Sequence, residues 1–95
     1  MRLYYTPESI SDLVRLREFI AAKSPESASR IAAELVAGIS RLRDLPNLGR
    51  KVLKAPNPEA VRDLSVGMYI VRYLVRDSEI HVLRIWHKRE DWANV

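Results

Sequence analysis

The chain of 95 residues has no cysteine, only three glycines, one phenylalanine and two histidines. Without cysteine there is no disulfide framework, no thiolate-held zinc or iron–sulfur centre, and no thiol nucleophile. Gly38, Gly49 and Gly67 are too scattered to form a phosphate loop, and no Gly-x-Ser-x-Gly elbow is present. His81 and His87 stand six residues apart in a strand-like segment, about 20 Å along an extended chain, so they cannot share a metal ion. No carboxylate pair has ligand spacing, so no metal or other cofactor is expected. Long apolar runs are missing too. Nothing approaches the roughly 18 residues of a membrane span, and Met1-Arg2-Leu3-Tyr4-Tyr5 turns polar at Thr6, without the apolar core of a signal peptide. A soluble, cytoplasmic protein with no membrane role is expected.

What is present is a mixed, basic composition. Hydrophobic residues make up 47%, and 16 Lys and Arg stand against 12 Asp and Glu, for a net charge of +4. The length points to one domain spanning residues 1–95, burying about 60–65% of its unfolded surface. The basic excess suits a polyanion or an acidic protein partner.

Two phrases rhyme: Thr6-Pro7-Glu8-Ser9 and Ser24-Pro25-Glu26-Ser27. Each reads as a helix start, with a hydroxyl N-cap, proline at the first helical position and a glutamate near the positive end of the dipole. The first helix is predicted from Pro7 to Ala22, with Ile10, Leu13, Val14 and Ile20 on one side and Leu16 and Phe19 widening the stripe. The second is predicted from Pro25 to Asp44 on Ile31, Leu35, Ile39 and Leu42, flanked by Ala28, Ala32 and Val36. Pro46 then ends it. The two-residue link makes an antiparallel helical hairpin. Residues 46–60 read as a loop carrying Arg50, Lys51 and Lys54. Residues 2–5, Val61–Leu64, Met68–Val75 and Ile80–Trp86 read as strands, the last two joined by a turn at 76–79. The order β-α-α-β-β-β predicts an α+β fold, with the helical hairpin on one face of a small, mainly antiparallel sheet.

Strand alternation assigns the faces. With Asp77 and Ser78 central in the turn, Val75 lies opposite Ile80, Tyr73 opposite Val82, Val71 opposite Arg84, and Tyr69 opposite Trp86. That face receives the helices, and Arg84 on it needs Asp12, Glu18 or Glu34 as partner. The other face shows Ile70, Leu74, Leu83 and Ile85, with Arg72, His81 and His87 among them. An open apolar face on a small domain marks a partner surface, unless the 46–60 loop folds over it. Arg50, Lys51, Lys54, Arg62, Arg72, His87 and Arg89 form the one constellation with chemical potential. Cations and a histidine suit metal-free RNA cleavage, and the same set suits an acidic polypeptide.

The whole chain resembles the RelE/ParE superfamily of type II toxin–antitoxin toxins. The resemblance rests on Leu45-Pro46-Asn47-Leu48-Gly49-Arg50, on Val61-Arg62-Asp63-Leu64 before Gly67, and on Tyr69-Ile70-Val71-Arg72-Tyr73. It rests most on the closing Ile80-His81-Val82-Leu83-Arg84-Ile85-Trp86-His87-Lys88-Arg89-Glu90-Asp91-Trp92, which looks like the ParE branch. The resemblance implies a toxin held inactive by a cognate antitoxin, whose acidic C-terminal segment wraps it, and operator DNA contacted only through that antitoxin. ParE-like members poison DNA gyrase; RelE-like members cut mRNA on the ribosome. RelE-like nucleases place an arginine where this chain has Ile70 and a tyrosine near the C-terminus, where it has Trp92-Ala93-Asn94-Val95. The gyrase-directed branch, with no catalytic residue, is therefore favoured, and mRNA cleavage is the alternative. Expected antitoxin contacts are Ile70, Leu74, Leu83, Ile85, Arg62 and Arg72. Expected target contacts are Arg50, Lys51, Lys54, His87, Arg89 and Trp92.

Overall fold

Both hydroxyl caps form. In the computed structural model, which describes residues 1–90, Thr6 Oγ1 accepts from the Ser9 N–H at 3.2 Å and Ser24 Oγ from the Ser27 N–H at 3.3 Å. They open α1 (Pro7–Ala21) and α2 (Pro25–Ser40). Ahead of Pro46, α2 tightens into a 3-10 turn at Arg41–Arg43. Strand β1 (Arg2–Tyr5) precedes the hairpin; β2 (Arg50–Lys51), β3 (Val61–Val66), β4 (Tyr69–Arg76) and β5 (Glu79–His87) follow it. The α+β fold is as expected, with one addition. Two residues of the predicted 46–60 loop pair with β3 as an edge strand, too short to show any sequence period.

The sheet order is β1-β5-β4-β3-β2, with β1 parallel to β5 and every other pair antiparallel. The helices cover one face, over a core of Leu16, Leu35, Ile39, Leu42, Leu64, Val71, Tyr73, Ile80, Val82 and Ile85. Close approach of α2 to β3 depends on Gly38, where a Cβ would lie 2.9 Å from Val66 Cγ2.

Helix α1 sits rotated from its predicted stripe. Ser9, Asp12 and Leu16 are buried, whereas Ile10, Val14 and Phe19 are exposed, Phe19 at 65%. The reason is the edge of β5. Strand β1 pairs with Glu79–Val82 only, so the rest of β5 needs other partners. Thr6 supplies its N–H to Val82 O and its hydroxyl to Leu83 O, both at 3.0 Å. Asp12 Oδ2 accepts from the Ile85 N–H at 2.9 Å, and Glu90 accepts from the His87 N–H at 3.2 Å. Facing this edge requires a polar Asp12, which turns Ile10 and Val14 outward.

The predicted hairpin register holds only near the turn. Val75 opposes Ile80 and Tyr73 opposes Val82, but a bulge at Leu83 then shifts the pairing, so Val71 opposes Ile85, Arg72 opposes Arg84, and Tyr69 opposes His87. One extra residue swaps faces for everything beyond it. Ile85, expected on the open face, is therefore core at 1% exposure, and His87 moves to the helix side of the sheet. Arg84 leaves the predicted helix face, yet its guanidinium still reaches Asp12, at 2.8 and 3.1 Å.

Both hairpins use two-residue turns, and the first central residue of each, Gly67 and Asp77, has φ 56°. A Cβ at Gly67 would meet nothing within 4 Å, so Gly67→Ala exposes the backbone term alone. We expect a loss of about 1 kcal/mol from left-handed strain, read as a lower urea midpoint at unchanged m-value.

Candidate functional site

The segment that carries Arg50 and Lys51 is held by a buried tyrosine. Tyr73 Oη donates to Pro46 O and accepts from the Gly49 N–H, each at 2.8 Å. Burial pushes the Tyr73 phenol above its usual range, keeping it protonated as a donor. Gly49 is required by contact: a Cβ there would lie 2.8 Å from both Asp63 O and the Tyr73 ring. Arg62 Nη1 donates to Gly49 O at 2.8 Å, so this guanidinium, an expected antitoxin contact, braces the loop.

This clamp sets Arg50 opposite Asp63 and Lys51 opposite Arg62 at the sheet edge. Beside them runs a groove of about 750 Å³, lined by Arg41, Arg50, Lys51 and Lys88 over Leu48, Ser65 and Ile70. Arg41 and Lys88 were not singled out in the sequence. They come from the end of α2 and the exit of β5, far from residue 50 in the chain, and although Lys88 falls within the 80–92 run that carries the family resemblance, nothing local places either residue beside Arg50. The groove's carboxylate, Asp63, is engaged: Arg72 grips it in a fork at 2.8 and 3.0 Å and lies 5.1 Å from the Trp86 ring. Hydrogen bonding to Asp63 raises the Arg72 pKa still further, so the pair behaves as a neutral unit. Lys51 also meets Glu59 at 2.9 Å, an exposed pair that holds the Glu59 carboxyl below its usual range.

The expected constellation thus divides. Arg50 and Lys51 share the groove, while Lys54 is exposed and does not line it. His87 lies toward the helices, edge-on to Tyr69 at 5.2 Å, and its Nδ1 accepts from the Arg89 N–H at 3.1 Å. His81 occupies the open face, stacked on Tyr4 at 5.2 Å with Nε2 3.2 Å from Glu79. Ile70, Leu74 and Leu83 are half-buried. Trp92 lies outside the described residues. Among the described residues, no cluster of three or more His, Asp or Glu is placed to hold a metal ion, and no helix is long and apolar enough to cross a membrane.

The likeness to known proteins covers nearly the whole chain. Toxin RelE2 of Caulobacter vibrioides is 31% identical over 87 residues, 90% of this chain and 93% of that protein. Toxin RelE1 of the same organism is 31% identical over 83 residues, 83% of this chain and 84% of its own length. A chain of the solved chromosomal ParDE TA system from P. aeruginosa superposes with a TM-score of 0.76 at 24% identity, covering 92% of this chain and 95% of that one, and so shares the fold. The family model described as the ParE toxin of the type II toxin–antitoxin system parDE matches residues 3–92. With the sheet, the helical hairpin and the span of the match in agreement, the chain belongs to the ParE toxin family of type II toxin–antitoxin systems.

Proposed function

We propose that this toxin is held inactive by a cognate antitoxin and, once free, inhibits DNA gyrase by binding rather than by catalysis. The observation that carries the reading is that His87 stands apart from the cations of the groove, with Arg89 alone of the expected constellation in its own cleft. Arg50 and Lys51 stand at the groove, while His87 lies across the sheet against Tyr69. Cleavage at a 2′-OH needs a general base or acid within hydrogen-bond reach of the phosphate that the cations hold. A binder needs only the surface. The groove offers one: Arg41, Arg50 and Lys88, with Lys51 shared with Glu59, stand around a floor of Leu48, Ser65 and Ile70, which suits an acidic protein face. The rival reading, mRNA cleavage, draws on the RelE names of the two relatives.

Purified toxin should block gyrase supercoiling and trap cleaved DNA on the enzyme. Arg50→Glu combined with Lys88→Glu should raise the half-inhibiting concentration about tenfold or more by reversing charge at the groove. No inhibition at large molar excess rejects the gyrase reading. Transcripts cut within minutes of induction assign the chain to the rival instead.

A further inference from the structure

The most exposed large hydrophobic side chain among the described residues is Leu53, at 81%. A lone leucine on a surface is ordinary; this one is held out by the backbone. The Val52 N–H donates to Val61 O, carrying the edge pairing one residue past β2, and the Ala55 N–H donates back to Val52 O, each at 3.0 Å. Leu53 and Lys54 are thus the two central residues of a closed β-turn, positions that proline, asparagine, aspartate or serine ordinarily take. The far limb is fixed as well. The Ala60 N–H donates to Asn57 O at 3.1 Å, Pro56 and Pro58 restrict the backbone, and Lys51 Nζ meets Glu59 at 2.9 Å.

The surroundings are basic and partly apolar. Residues 41–54 hold five Lys and Arg against one carboxylate, Asp44. Leu45 and Leu48, beside the turn that Tyr73 clamps, are 49% and 41% exposed, and Leu48 lines the groove with Arg50 and Lys51. A nucleic acid would use the cations and leave these leucines idle. A bilayer asks for more apolar surface, since even a myristoyl chain holds a protein there only marginally. A leucine presented on a rigid, cationic turn fits an apolar pocket of a protein whose rim is acidic, with little left to order on binding.

Resting on the toxin reading, we propose that Leu53 is the apolar anchor of target binding: it enters a pocket of the target protein, while Arg50 and Lys54 meet the acidic rim. The groove and the turn then divide the work. Cations at the groove speed encounter, and Leu53, desolvated only in the final complex, sets how slowly the toxin leaves. Lys51, clipped to Glu59, holds the turn in place.

The probes are purified gyrase and growth arrest on expression without antitoxin. Leu53→Ala should raise the half-inhibiting concentration about tenfold and Leu53→Asp about thirtyfold or more, as loss of a leucine from a binding pocket does. In surface plasmon resonance on immobilised gyrase, the Leu53→Ala loss should lie in the dissociation rate, whereas Arg50→Glu should slow association and flatten its salt dependence. Leu53 is exposed, so both variants should keep the circular dichroism and thermal midpoint of wild type. Leu53→Met should inhibit within about threefold of wild type, and Ile10→Asp, exposed on α1, within about twofold. Wild-type inhibition by Leu53→Asp, or a loss no greater than that of Ile10→Asp, overturns the proposal. So do transcripts cut at an undiminished rate by Leu53→Asp, which give the surface to RNA. Binding to phosphatidylcholine–phosphatidylglycerol vesicles that Leu53→Asp abolishes gives it to a bilayer and also overturns it. A wild type that arrests growth without inhibiting gyrase removes the gyrase reading alone. The anchor is then judged on growth, where cells carrying Leu53→Asp should divide and continued arrest overturns it. A wild type inert in both assays removes the reading and the anchor together.

Discussion

Asp12→Ala should be among the most damaging single substitutions in the helices, lowering stability by about 3–4 kcal/mol. Asp12 is 3% exposed and serves two donors at once: the Ile85 N–H at 2.9 Å and the Arg84 guanidinium in a fork. Removing the carboxylate leaves a buried backbone N–H without an acceptor, which costs about 1–3 kcal/mol. It also takes from the Arg84 guanidinium the carboxylate whose hydrogen bond raises its pKa. The Arg84 side chain is 37% exposed, so water recovers part of its solvation, and the total stays near the lower end for a broken buried pair. A small domain has about 5–10 kcal/mol in hand, so the variant should unfold roughly 15–25 °C earlier. Asp12→Asn retains an acceptor for Ile85 and should lose about half as much. A thermal midpoint within about 3 °C of wild type for Asp12→Ala would remove this contact from the account of the fold.

The second large effect is expected at Tyr73→Phe, where one oxygen holds both ends of the 46–49 turn. Loss of the hydroxyl leaves the buried Gly49 N–H unpaired, for about 2–3 kcal/mol in all. The functional loss should exceed what the stability loss explains, because Arg50 and Lys51 follow directly on the released segment. Target inhibition should therefore weaken even at temperatures where the variant is fully folded. A pH profile gives an independent check. Burial raises the Tyr73 pKa above the ordinary 10.0, so the folded state resists ionisation that the unfolded chain allows. That stability is fully present below about pH 10 and is lost as pH climbs through the folded value. Tyr73→Phe should flatten part of this alkaline decline. Tyr5 and Tyr69, also raised by burial, keep the remainder. An unchanged slope together with unchanged inhibition would show that the turn does not depend on Tyr73.

Local signals in the sequence carried the elements, and two non-local facts escaped it. The N-caps, prolines and β-branched runs act within a few residues, so both helices and the three long strands appear where they were expected. Ala28, Leu35 and Ile39 on α2, and Leu42 in the 3-10 turn that follows it, are buried as their spacing predicts, while Ile31 is half-buried and Val36 is exposed. The faces of β5 were readable only as far as Val82. The bulge at Leu83 is tied to the point where β1 ends and α1 takes over the strand edge, which no periodicity in residues 79–87 records. For the same reason α1 is turned: its stripe obeys Asp12 and the edge N–H, not maximal burial of Ile10 and Val14. The groove was half legible. Arg50 and Lys51 announced themselves in a basic loop, but Arg41 and Lys88 join them only through the fold.

The closure of the β5 edge by Thr6, Asp12 and Glu90 bears on how long the toxin survives unaccompanied. A strand end with open N–H and C=O groups is a template on which a second molecule can stack and propagate into insoluble aggregates. Here the outermost strands are only four and two residues long, and the stretch of β5 beyond β1 has its backbone groups taken by side chains. A toxin that acts when its antitoxin disappears must persist by itself in a crowded cell, and plugged edges guard it against edge-to-edge aggregation while it does. Asp12→Ala would strip away part of that protection along with the folding energy, so the variant should precipitate from cells well before its midpoint is reached.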